Sequence, residues 1–97
     1  MIVASLRFEL RMGMSGSLKD KRAVLRPLVE GLRRLASLSV SEVDHHDAWQ
    51  RSAVGVAIVT PDPASMEKLI ERIRRYVDEH MDIEVVDCVV TYQELAE

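Results

Sequence analysis

Residues 1–11 read Met1-Ile2-Val3-Ala4-Ser5-Leu6-Arg7-Phe8-Glu9-Leu10-Arg11. Ile2, Ala4, Leu6, Phe8 and Leu10 fall on one parity; Ser5, Arg7, Glu9 and Arg11 fall on the other. A period of two sustained over ten residues is that of a strand with one face on a core and one face away from it. The rest of the chain must therefore supply strands to pair with this one and an apolar layer to cover only one of its faces.

Gly13 and Gly16 mark a loop, and Ser17 then opens a helix as an N-cap, with Asp20 three residues on as a capping-box partner. Leu18, Leu25, Leu28, Val29, Leu32, Leu35 and Ala36 recur at helical intervals. Pro27 lies inside this run, so a kink or a loosely wound first turn is expected, because proline cannot bond back to the carbonyl of Ala23. Leu38–Asp44 is strand-like, but Val40 and Val43 are three apart, which predicts a bulge or a shifted face. The polar run Asp44–Trp49 is a hairpin turn. Ser52–Thr60 is the next strand, with Val54, Val56 and Ile58 toward the core and Ala53, Gly55 and Ala57 on the opposite face. Asp62 before Pro63 starts a second amphipathic helix through Met66, Leu69, Ile70, Ile73 and Val77, closing near His80, with Glu71 and Arg75 paired on its wet side. Ile83–Tyr92 is the last strand, apolar on both faces, with Val85 and Val89 set against Val86 and Val90.

The order β-α-β-β-α-β, with two crossovers flanking a hairpin, gives an α+β fold: a ferredoxin-like sandwich with a four-stranded antiparallel sheet and two helices on one face. The 97 residues suffice for one domain spanning 1–97. Small residues at Ala53, Gly55 and Ala57 leave the uncovered face as a floor that a partner can approach closely, so a homodimer through that open sheet face is expected, with a heterologous partner or plain solvent exposure as the alternatives.

Composition narrows function by exclusion. A single cysteine, Cys88, cannot form an internal disulfide, so the chain is not a cysteine-framework secreted module. Arg7, Glu9 and Arg11 near the start argue against a signal peptide or membrane span, which makes a cytoplasmic protein without membrane contact the expectation. Net charge is −3, but residues 1–40 carry +5 and residues 41–97 carry −8. A basic face is thus compatible with an acidic whole. Aromatic residues make up only 4% of the chain, and none lies on Ser52–Ile58, which argues against base stacking across the sheet as in RNA-recognition motifs. No glycine-rich phosphate loop, dinucleotide fingerprint, Cys-x-x-Cys pair or nucleophile elbow occurs.

Two constellations remain. Lys19, Lys21, Arg22 and Arg26 crowd the start of the first helix, where the dipole favours anions, so this cationic cluster reads as a contact for phosphate or an acidic surface. The alternative is a solvated face whose lysine stems cover apolar surface. The second is the hairpin, in which Asp44, His45, His46 and Asp47 precede Trp49, Gln50 and Arg51. On an extended strand Asp44 and His46 share one face, with His45 and Asp47 opposite. Two direct ligands are too few for a metal site, and no nucleophile accompanies an imidazole–carboxylate pair. Trp49 and Arg51 suit an interface hot spot. No cofactor is expected.

Met1-Ile2-Val3, the run Ser17-Leu18-Lys19-Asp20-Lys21-Arg22, the block Val40–Arg51 and Gly55-Val56-Ala57 followed by Asp62 resemble the bacterial YlxP-like proteins over essentially the whole chain. That resemblance implies a ferredoxin-like fold in a family of unknown function, often encoded beside genes for translation initiation, transcription elongation and ribosome maturation. It brings no catalytic residues. The family tends to carry Gln where His46 stands and a bulky apolar residue where Ala48 stands. Taken with the residues, it implies a non-enzymatic accessory factor that binds ribosomal RNA, or a ribosomal or ribosome-maturation protein, around the small ribosomal subunit. Lys19, Lys21, Arg22 and Arg26 would make the ionic contacts, and Asp44, His45, Trp49, Gln50 and Arg51 the specific ones. The rival expectation is a homodimeric ligand-binding module or small enzyme using Asp44, His45 and His46.

Overall fold

In a computed structural model, which describes residues 1–96, the opening alternation becomes β1 (Ile2–Arg11), with Ile2, Ala4, Leu6, Phe8 and Leu10 all buried. The chain continues through α1 (Leu18–Leu35), β2 (Ser39–Asp44), β3 (Arg51–Thr60), α2 (Pro63–Asp78) and β4 (Glu84–Glu94). The strands form one antiparallel sheet in the order β2-β3-β1-β4. The core lies between the sheet and the two helices, where β1 meets Leu25, Leu28 and Leu32 of α1 and Met66, Ile73 and Val77 of α2. The fold is the ferredoxin-like sandwich.

Ser17 caps α1 by accepting the Asp20 N–H at 3.0 Å. Asp20 reaches one residue further back than a capping box requires and accepts the N–H of Gly16. Helix α1 runs through Pro27 without a break. Pro27 and Ala23 are both exposed, so the carbonyl freed by proline lies on the solvent side of the helix. Asp62 caps α2, and Pro63 occupies its first turn. The helices touch at Gly31, where a Cβ would stand 1.7 Å from the Tyr76 hydroxyl, so the approach depends on glycine.

Two irregularities redirect side chains. The β2–β3 register slips between Glu42 and Asp44, which leaves Val43 as the extra residue of a bulge. A second slip on β4 pairs Leu10 with Val85 but Glu9 with Asp87. Val86 is therefore the unpaired residue, and the parity of β4 changes there. Val85, Cys88 and Val90 lie against the core while Val89 is exposed, so the expected grouping of Val85 with Val89 does not hold.

Candidate functional site

The chain gathers three connections at the end of the sheet where β1 finishes: the β1–α1 loop, the β2–β3 loop (residues 45–50) and the α2–β4 loop. Lys21 fixes the first two together. Its side chain is 2% exposed, and its ammonium donates to the carbonyls of His45 at 2.7 Å and Ala48 at 2.8 Å. The Glu42 carboxylate lies 2.9 Å from the same ammonium and also accepts the Ser52 hydroxyl at 2.6 Å. Three acceptors match the three donors of an ammonium group. Burial alone would push the Glu42 carboxyl up, but the Ser52 and Lys21 hydrogen bonds and the Lys21 charge outweigh it and hold it below 4.5. Lys21 is therefore not one of the surface cations that the sequence suggests; its charge is spent inside the protein.

Gln50 strengthens the same joint from the other side, donating to the carbonyls of Gly13 and Ser15. Lys19, Arg22 and Arg26 remain exposed along α1 and line a shallow depression of about 380 Å³ with Pro27 and Glu30. None of the three makes an ion pair among the described residues. Trp49, 55% exposed, lies in a second depression with Arg11, Asp47 and Arg51. Arg11 and Arg51 stand directly opposite each other in the β1–β3 ladder. Glu84, 3.7 Å from Arg11, and Glu9, 4.0 Å from Arg51, offset that like-charge pairing.

The histidines part company. His45 takes a positive φ of 61°, a conformation that favours glycine, so the extended alternation ends there. Its N–H donates to Asp44 Oδ1 at 2.7 Å, which holds the Asp44 carboxyl below its ordinary range. Its ring lies over the open sheet face with Nε2 at 3.2 Å from Glu9 Oε2. Arg7 pairs with Glu9 and, at 3.4 Å, with Asp44. Burial would push the Glu9 carboxyl up, but the Arg7 hydrogen bond and charge, with His45, bring it down instead. His46 turns away and its Nε2 lies 3.2 Å from the Glu42 carbonyl. The expected pairing of Asp44 with His46 is thus replaced by Asp44 with His45, and the two rings do not converge. Among the described residues no three His, Cys, Asp or Glu side chains are grouped to hold a metal.

The open face is less bare than its small residues suggest. Ala53 is fully buried beneath the hairpin, and a Cβ on Gly55 would stand 2.9 Å from Val43 Cγ1. The side chain that comes close to this floor is the protein's own Val43, carried there by the bulge. Beyond it lies a shallow basin bounded by Ser5, Arg7, Ser39, Ser41 and Ala57. Sequence reasoning missed Arg7, Glu9, Glu42 and Ser52 as members of this end. Their signal is weak, being polar residues on strand faces whose partners lie on other elements.

The profile of a family described as "Protein of unknown function (DUF503)" matches residues 3–90. The "Uncharacterized protein YlxP" of Bacillus subtilis (strain 168) is 36% identical over 70 residues, covering 72% of this chain and 76% of that protein. Among solved structures, the de novo designed protein Foldit4 matches with a TM-score of 0.55 at 17% identity, covering 98% of each chain. A second de novo design, LFR1 1 with ferredoxin fold, matches with a TM-score of 0.52 at 9% identity, over all of this chain and 88% of that one. At such identities the designs speak to the fold alone. No helix among the described residues is long and apolar enough to cross a membrane. The chain belongs to the DUF503 family.

Proposed function

We propose that this DUF503 member is a non-enzymatic, cytoplasmic accessory factor that binds ribosomal RNA of the small subunit with the start of α1 and the β2–β3 loop. The observation that carries the reading is the Lys21 anchor. By spending its charge on the carbonyls of His45 and Ala48, Lys21 makes the first turns of α1 and the loop one rigid body. Lys19, Arg22 and Arg26 then present cations without ion-pair partners among the described residues, next to a loop that exposes Trp49 and Arg51. Phosphates meet the cations and position the protein. Trp49, Arg51 and Arg11 contact an unpaired base or a groove edge, which is how RNA is read outside regular helices. Arg7 and His45, which face the open sheet, are already paired with Glu9 and Asp44, so the ionic contacts fall on α1.

Binding of purified small-subunit ribosomal RNA, followed by anisotropy across a salt series, tests this. Three phosphate contacts predict a slope of roughly −2 to −3 in log affinity against log salt, from about 0.7–0.9 per contact. The Lys19→Ala, Arg22→Ala, Arg26→Ala variant should flatten it toward zero. A salt-insensitive interaction, or one the triple variant retains, would move the partner from RNA to protein.

A further inference from the structure

The outer edge of β4 lies at the far side of the sheet from the hairpin. Leu95 and Met1 exchange backbone hydrogen bonds, the Leu95 N–H donating to the Met1 carbonyl at 2.8 Å and the Met1 amine to the Leu95 carbonyl at 3.5 Å. In an antiparallel ladder, hydrogen-bonded and non-bonded pairs alternate. From that end, Gln93, Thr91 and Val89 bond inward to β1, while Glu94, Tyr92, Val90 and Cys88 turn their N–H and C=O groups outward. Asp87 confirms the phase, since its own carboxylate accepts the Cys88 N–H at 2.9 Å. Among the described residues the outward groups of Val90, Tyr92 and Glu94 have no such cover. An eleven-residue edge strand with three successive open positions is a template for another strand.

The same phase places the Val90 and Tyr92 side chains on the helix side of the sheet, because they pair with the buried Leu6 and Ala4. There they floor a groove of about 710 Å³ between β4 and α2, with Ile70 as its third apolar wall. A strand added at the edge would drop every second side chain into this groove. Its rim is acidic: Glu67, Asp78 and Glu79 face it, while Arg75 is neutralised by Glu71 at 2.7 Å and Arg74 is the remaining cation.

We propose that the β4 edge and the α2–β4 groove dock an extended segment of a partner protein as a fifth strand, every second side chain facing the groove and these being apolar at the centre and Lys or Arg at either end. Main-chain bonds to Val90, Tyr92 and Glu94 supply the affinity, the groove takes the central apolar side chains, and the acidic groups at its two ends, Glu67 at one and Asp78 with Glu79 at the other, take the basic ones on the same face. A second copy of this chain is a poorer occupant, because β4 carries Glu84, Asp87 and Glu94 and two such edges would set like charges together. This surface is separate from the α1–hairpin end and does not depend on the RNA reading.

The test uses a synthetic peptide of about ten residues, blocked at both ends, in which every second residue reads Lys, Val, Val, Lys and the rest are Thr, long enough to cover a strand. Its control has the same composition with valines and lysines in separate blocks. Amide exchange of the full chain is followed by NMR. The patterned peptide should slow exchange at Val90, Tyr92 and Glu94 by tenfold or more, and the block peptide should not. Tyr92→Pro removes one outward donor at an edge position that tolerates proline, and should weaken binding at least tenfold. Glu67→Lys with Asp78→Lys, both exposed on α2, should weaken it without touching the strand. Equal binding of both peptides, unchanged exchange on β4, or protection that instead rises with protein concentration alone would overturn the proposal; the last would assign the edge to a second copy.

Discussion

Lys21 on α1 and Glu42 on β2 form an ion pair of 2.9 Å beneath the β2–β3 loop, the ammonium fully inside the protein and the carboxylate mostly so. The pair joins α1 to β2 across the top of the core. Breaking one side of a buried pair leaves the other charge without compensation, which costs about 3–5 kcal/mol. Lys21→Met should therefore lower unfolding free energy by about 3 kcal/mol or more, read by urea denaturation. Lys19→Ala, two residues away on the exposed face, should change it by less than about 0.5 kcal/mol. Equal effects would mean that Lys21 is a surface cation after all.

The Glu42 carboxyl is held below its ordinary 4.5 in the folded protein because the Ser52 and Lys21 bonds overcome the effect of its burial. The unfolded chain then takes up a proton at higher pH than the folded one. Glu42 accordingly contributes stability that is complete above about pH 4.5 and is lost as pH falls through the lower folded value. Wild type should exceed Glu42→Gln in stability at neutral pH, and the two should converge on acidification below pH 4.5. A difference that does not narrow there would show that the carboxylate charge is not what Lys21 requires.

Gly55 sits under Val43, and an added Cβ would meet Val43 Cγ1 at 2.9 Å. Overpacking of this kind typically costs about 1–3 kcal/mol, and the lower end is expected because Val43 is half exposed. Gly55→Ala should destabilise by about 1 kcal/mol, and Val43→Ala in the same chain should recover most of that loss. No interaction between the two substitutions would return Gly55 to the role of a floor for an outside partner.

The fold was legible because its signals are periodic and local. Alternation on β1, Ser17 and Asp62 as caps, and the spacing from Met66 to Val77 each depend on neighbours in sequence, and each is found. The bulge at Val43 was readable for the same reason, from the three-residue step between Val40 and Val43. The bulge on β4 was not, because a run of valines carries no face label. Lys21 marks the limit for the site. Its three acceptors lie 21 to 27 residues away in the chain, and nothing near it in sequence distinguishes it from Lys19. His45 and His46 show the same limit, since one positive φ separates the two rings and a residue string does not display it.

If α1 and the hairpin act as one RNA-binding surface, co-sedimentation with small ribosomal subunits, mature and immature, will reveal it. Wild type would run beside the Lys19→Ala, Arg22→Ala, Arg26→Ala variant and a Trp49→Ala, Arg51→Ala variant, all five positions being exposed. Wild type should pellet with the subunits at low salt, and each variant should be lost from the pellet while remaining folded by circular dichroism. Wild type left in the supernatant at every salt concentration, or both variants pelleting as wild type does, would contradict the RNA-binding reading.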